Sequence, residues 1–87
     1  ELLLELLADT GAKSFQMDIR GPWILNKDFQ NRFGLDLALK DVRLGCRMAD
    51  QWGNSAKTMK TALDYFQKAS ASGFGQEDCN AVHKVIK

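Results

Sequence analysis

The stretch "FGLDLALKDVRLGCRMADQW", Phe33 to Trp52, decides how the rest of this 87-residue chain is read. Its apolar residues return every three or four positions, which is the period of a helix and not of a strand. A helix from Asp36 to Trp52 places Leu35, Leu39, Val42, Cys46 and Ala49 on one stripe. Leu37, Leu44 and Met48 fall on a second, which leaves Asp36, Lys40, Arg43, Arg47 and Asp50 on a narrow polar strip. Such a helix is expected to be packed on two sides.

Two residues of that helix break local rules. If Asp36 is the cap, Lys40 stands about one turn inside, where the free N–H groups and the macrodipole disfavour a cation. Its simplest place is a solvated pair with Asp36 four residues back, worth roughly 0.3 kcal/mol. Asp41 falls between the apolar residues of the second stripe, so its carboxylate is expected to find a polar partner or a purpose.

Working outward, spacings of three and four recur on both sides and alternating runs are nearly absent, so the fold class is all-α. Glu1 to Asp9 reads as a helix end closed by "DTG", with Gly11 able to take the left-handed conformation that terminates helices. A short helix from Ser14 to about Arg20 follows, and Pro22 predicts a break near Gly21 because proline disfavours helical geometry in the residue before it. Residues 26–34 read as a polar loop that pins Phe29 and Phe33. "GNS" (Gly53, Asn54, Ser55) stops one helix and caps the next, Ala56 to Ser72, whose Met59, Ala62, Leu63, Phe66 and Ala69 share a face. Asp78 caps a last helix carrying Ala81, Val82, Val85 and Ile86. The sum is a compact bundle of about five helices.

Composition narrows the partners. At 45% hydrophobic residues, 87 residues make one small domain of limited core, for which support from outside the chain is expected. Twelve Lys and Arg against eleven Asp and Glu give a net charge of +1, scattered, which points away from nucleic acid and from anionic membrane surfaces. The longest apolar stretch, "LLLELLA", is broken by Glu5 and falls well short of the ~20 residues of a membrane span. Cys46 and Cys79 lie far apart without metal-ligand spacing, so buried free thiols in a reducing, cytoplasmic setting are expected, with no metal site. The start at Glu1, inside a helix and without a leader, suggests a piece of a longer protein.

Several apparent sites have plainer explanations. Gly73, Phe74 and Gly75 follow a helix instead of a strand and lack the third glycine of a dinucleotide loop, so they read as a helix terminator. His83 has no ligand or nucleophile at useful spacing and receives no role. Trp23 and Trp52 are expected to be half buried, as large rings are in small helical cores.

The ordered landmarks resemble the C-terminal helical domain of the 3-hydroxyisobutyrate dehydrogenase family, the β-hydroxyacid dehydrogenases. They are "GPWIL", the loop of Asp28, Phe29 and Phe33, "KDVRL", "ADQWG", the Tyr65 helix with its Gly73 to Gly75 loop, and "DCNAV". The resemblance covers almost the whole chain. It implies the latter part of a 6-phosphogluconate dehydrogenase-like C-terminal domain, with an N-terminal Rossmann domain and the catalytic lysine both outside residues 1–87. It further implies that Lys40 reaches an NAD or NADP cofactor, and that Phe33 and Asp41 border a small hydroxy-acid substrate of the 3-hydroxyisobutyrate, tartronate semialdehyde or glyoxylate type. No catalytic residue is then expected in this chain, which alone would be inactive. A homo-oligomer is expected, and a non-catalytic helical oligomerisation domain is the alternative.

Overall fold

The structure, a computed structural model, describes residues 1–86. Four helices follow in order: α1 (Leu2–Ala8), α2 (Phe15–Leu25), α3 (Leu35–Gln51) and α4 (Lys57–Ala69). A π turn, Ser70–Phe74, continues α4, and a 3₁₀ helix, Cys79–Val85, closes the chain. Among the described residues there is no strand, and a single isolated bridge joins Gly34 to Asp78.

The stripe read from the α3 sequence is the one that is buried. Leu35, Leu39 and Cys46 are buried, and Leu35 joins Ala69, Ala81 and Val85 in a core against which Phe29, Phe66, Phe74 and Val82 pack. The second stripe, Leu37, Leu44 and Met48, is exposed, and Trp52 beyond it is 84% exposed, so neither two-sided packing nor a half-buried Trp52 is found within this chain. Trp23 is half buried, with the Arg32 guanidinium 3.8 Å from its ring centre. Cys46 and Cys79 are both free, the first buried and the second partly so.

Helix starts and stops follow the sequence at several points. Ser14 caps α2, its Oγ accepting the Met17 N–H at 3.0 Å. Gly53, at φ 71°, ends α3 in a Schellman turn closed by Asn54 N–H to the Ala49 carbonyl at 2.8 Å. Asp78 caps the terminal helix through the Asn80 N–H. That helix is 3₁₀, and while Ala81 and Val85 enter the core, Ile86 is exposed.

Other boundaries differ from expectation. No break occurs at Gly21: α2 runs through Gly21 and Pro22 to Leu25. Pro22 cannot donate to the Asp18 carbonyl, but both residues are exposed, where solvent can satisfy it, and Leu4 of α1 packs so closely on Gly21 that a Cβ there would lie 2.9 Å from its Cδ1. The terminator is Lys27, held at φ 54°, with Asp28 N–H reaching the Trp23 carbonyl at 2.7 Å and Lys27 N–H reaching Ile24 at 3.0 Å. This is a Schellman turn with lysine where glycine is usual. Gly11 is not left-handed, and α1 instead ends in a turn in which Thr10 bonds the Leu7 carbonyl. At α4 the cap is Ala56, at φ 42°, not Ser55, and Asn54 Oδ1 accepts its N–H at 2.8 Å.

Asp36 does not cap α3. Gly34 does, and the N–H groups of Leu35 and Asp36 donate to the carbonyls of Glu77 (2.9 Å) and Gly75 (3.1 Å). Those donors are therefore satisfied from the other end of the chain. The Asp36 carboxylate instead accepts the Ser70 hydroxyl at 2.6 Å and lies directly on Gly75, where any Cβ would collide with it.

Candidate functional site

Two loops zipped together build the site. Residues 28–36 and 75–80 exchange backbone bonds: Asp78 N–H to Phe29 O at 3.0 Å and Cys79 N–H to Phe33 O at 2.7 Å, besides the two that start α3. Asn31 and Asn80 add side-chain bonds to the carbonyls of Gln76 (2.9 Å) and Asp28 (3.3 Å). The seam fixes where α3 begins and where Phe33 stands.

Beneath it lies Asp78, wholly buried. Its Oδ1 accepts the N–H groups of Arg32 (2.9 Å) and Phe33 (2.8 Å), while Oδ2 accepts Asn80 N–H (3.2 Å) and faces Arg20 Nε of α2 at 3.4 Å. Burial opposes the ionised form, but the Phe33, Arg32 and Asn80 N–H groups and the Arg20 cation outweigh it and hold the carboxyl below the ordinary carboxylate range. Burial, reinforced by the Asp78 charge, pushes the neighbouring Cys79 thiol up, so it stays protonated at neutral pH.

Phe33 is 39% exposed and, with Gln16, Arg20 and Cys79, lines an open groove of about 340 Å³. Lys40 and Asp41 lie on the second turn of α3, on the side away from the core. Their side chains are 61% and 57% exposed, and Lys40 Nζ approaches Asp41 Oδ1 at 3.8 Å. Lys40 thus pairs loosely with its neighbour and not with Asp36. Asp41 has not found a buried partner; it sits in the exposed stripe between Leu37 and Leu44, with its carboxylate toward solvent. The structure places Phe33 in a groove and leaves Lys40 and Asp41 together on an open helix face, without joining the two through a contact.

Arg20 and Gln16 are residues that sequence reading did not single out. Gln16 Oε1 accepts from Arg20 Nη1 at 2.5 Å across one turn of α2. The i,i+4 spacing was visible, but the ion pair with Asp78 spans most of the chain. A second, apolar groove of about 460 Å³ runs between Ile24, Leu25, Phe29 and His83. Among the described residues, no cluster of His, Cys, Asp and Glu could hold a metal ion, and no helix is long and apolar enough to cross a membrane.

Residues 1–86 match the family model described as the NAD-binding domain of NADP-dependent 3-hydroxyisobutyrate dehydrogenase. The 2-(hydroxymethyl)glutarate dehydrogenase of Eubacterium barkeri is 28% identical over 86 residues, covering 98% of this chain and 29% of the relative. L-threonate dehydrogenase of Escherichia coli K12 is 24% identical, covering 99% and 28%. The crystal structure of a 3-hydroxyisobutyrate dehydrogenase from Salmonella typhimurium superposes with a TM-score of 0.90 at 26% identity, over 98% of this chain and 30% of that one. The chain spans less than a third of the length of these relatives. Matched from end to end of its described residues, the chain belongs to the NAD-binding helical domain of the 3-hydroxyisobutyrate dehydrogenase family.

Proposed function

We propose that this chain is the helical segment of an NAD(P)-dependent enzyme that interconverts a small hydroxy acid and its carbonyl form. The observation that carries the reading is the family match over residues 1–86; the exposure of Lys40 and Asp41 on α3 is compatible with it. The residues fit an anionic cofactor: the Lys40 ammonium is solvent-facing and held only by a 3.8 Å contact, so it is free to meet a phosphate or carboxylate. When bound, the nicotinamide supplies the hydride acceptor or donor. Lys40 then orients the cofactor by a charge-assisted contact. Phe33 and Asp41 border the acid, the ring excluding water and the carboxylate accepting from a substrate hydroxyl. The proton is handled by a lysine outside this chain, so the segment alone is inactive.

The test is turnover by the full-length enzyme of 3-hydroxyisobutyrate, 2-(hydroxymethyl)glutarate and L-threonate with NAD⁺ and with NADP⁺. Formation of NADH or NADPH with at least one acid is expected. A folded full-length protein that oxidises none of them and binds neither NADH nor NADPH would overturn the reading in favour of a helical association domain. The exposed Leu37, Leu44, Met48 and Trp52 favour that second reading.

A further inference from the structure

Asp78 is more elaborately held than a helix cap requires. Capping the terminal 3₁₀ helix uses one oxygen, toward Asn80. It needs neither a second oxygen that accepts both Arg32 and Phe33 N–H groups nor an arginine brought from α2 to within 3.4 Å. A carboxylate taken wholly out of water is costly unless its lone pairs are used, and one of the N–H groups that uses them is that of Phe33, beside those of Arg32 and Asn80. Phe33 is 39% exposed at the groove, so packing covers it only in part. Its backbone is held on both sides, the N–H by Asp78 and the carbonyl by the Cys79 N–H at 2.7 Å.

We infer that Asp78, braced by Arg20, is a positioning residue for substrate: it holds the Phe33 backbone so that the ring stands at the mouth of the groove shared with Gln16 and Arg20. The inference rests on Phe33 bordering the hydroxy acid. Asp78 does not itself line the groove and acts chiefly through Phe33, so its removal is felt mostly while that ring is present.

A double-mutant cycle in the full-length enzyme tests this, using whichever of 3-hydroxyisobutyrate, 2-(hydroxymethyl)glutarate and L-threonate is oxidised fastest. Phe33→Ala, Asp78→Asn and the double variant are compared by kcat/KM, at a temperature where circular dichroism shows all of them folded. Asp78→Glu, which keeps the charge and displaces it by a methylene, is the second variant should the amide not fold. Asp78→Asn is expected to lower kcat/KM at least about fivefold in the parent, mostly through KM, and less than about twofold beside Phe33→Ala. A merely structural Asp78 would lower thermal stability with kcat/KM unchanged, or lower kcat/KM equally in both backgrounds, and either result overturns the inference while leaving Phe33 at the substrate. If Phe33→Ala itself left kcat/KM within about twofold of the parent, the placement of Phe33 and the inference built on it would fall together.

Discussion

The buried Asp78 carboxylate accepts the backbone N–H of Phe33 at 2.8 Å across forty-five residues of sequence. That bond ties the loop before α3 to the start of the terminal helix, and it makes stability depend on one ionised group.

The dependence has a definite sign. Burial opposes ionisation of Asp78, but the N–H groups of Phe33, Arg32 and Asn80 and the Arg20 charge overcome it, so the folded carboxyl titrates below the unfolded one, near 3.9. As pH falls, the unfolded chain takes up the proton first. The contribution of Asp78 is full well above the unfolded value of about 3.9, shrinks as pH nears it and is lost as pH drops through the lower folded value. Urea unfolding of the 87-residue chain should therefore weaken more steeply as pH falls below about 4 than that of its Asp78→Asn variant. Equal slopes would contradict the account.

Two turns carry a side chain where glycine is favoured. Lys27 and Ala56 hold φ of 54° and 42°, the left-handed region that costs an L-residue about 1 kcal/mol. Lys27→Gly should raise the unfolding free energy by roughly 0.5 kcal/mol, the strain relieved less the added chain entropy. Gly53→Ala, at φ 71°, should lower it by about 1 kcal/mol. Chemical denaturation reads both, and the same sign for the two would be inconsistent with these turns.

Gly45 offers a third stability test. It sits inside α3, and a Cβ there would meet the Met59 Sδ at 2.8 Å, the far end of a flexible side chain that can turn aside. Gly45→Ala should stabilise the chain by about 0.5 kcal/mol through helix propensity and reduced unfolded-state entropy. A loss larger than about 1 kcal/mol would show that the α3 and α4 contact cannot yield there.

The exposed stripe of α3 predicts association. Leu37, Leu44, Met48 and Trp52 leave four large apolar side chains uncovered along one face, the kind of patch that marks association. Sedimentation of the 87-residue chain at ~100 μM should give a dimer or larger species. A strictly monomeric boundary would count against it.

What the sequence disclosed was periodic or local. The buried face of α3, the Asp78 cap and the Gly53 stop each depend on neighbours within a turn or two, and all were readable; the helix start at Ser14 was read one residue early, Ser14 being its cap. The passage of α2 through Gly21 and Pro22 was not, because neither the packing of Leu4 on Gly21 nor the exposure of Asp18 can be read from the residues around the proline. The Arg20 to Asp78 pair was hidden by sequence separation, although both residues were plain. Asp41 misled in a different way. Lying between apolar residues, it looked buried, whereas the stripe itself faces outward, so Asp41→Ala is not expected to destabilise this segment.

The central claim, that "KDVRL" presents Lys40 to an anionic cofactor or acid, is tested most directly by kcat/KM of Lys40→Ala in the full-length enzyme. Losing a charge-assisted contact of about 1.5–3 kcal/mol predicts a roughly 10- to 150-fold fall. The melting temperature should stay within about 1 °C, because Lys40 is exposed and its 3.8 Å pair with Asp41 contributes little. A value of kcat/KM within about twofold of the parent, together with a lowered melting temperature, would make Lys40 structural and contradict the account.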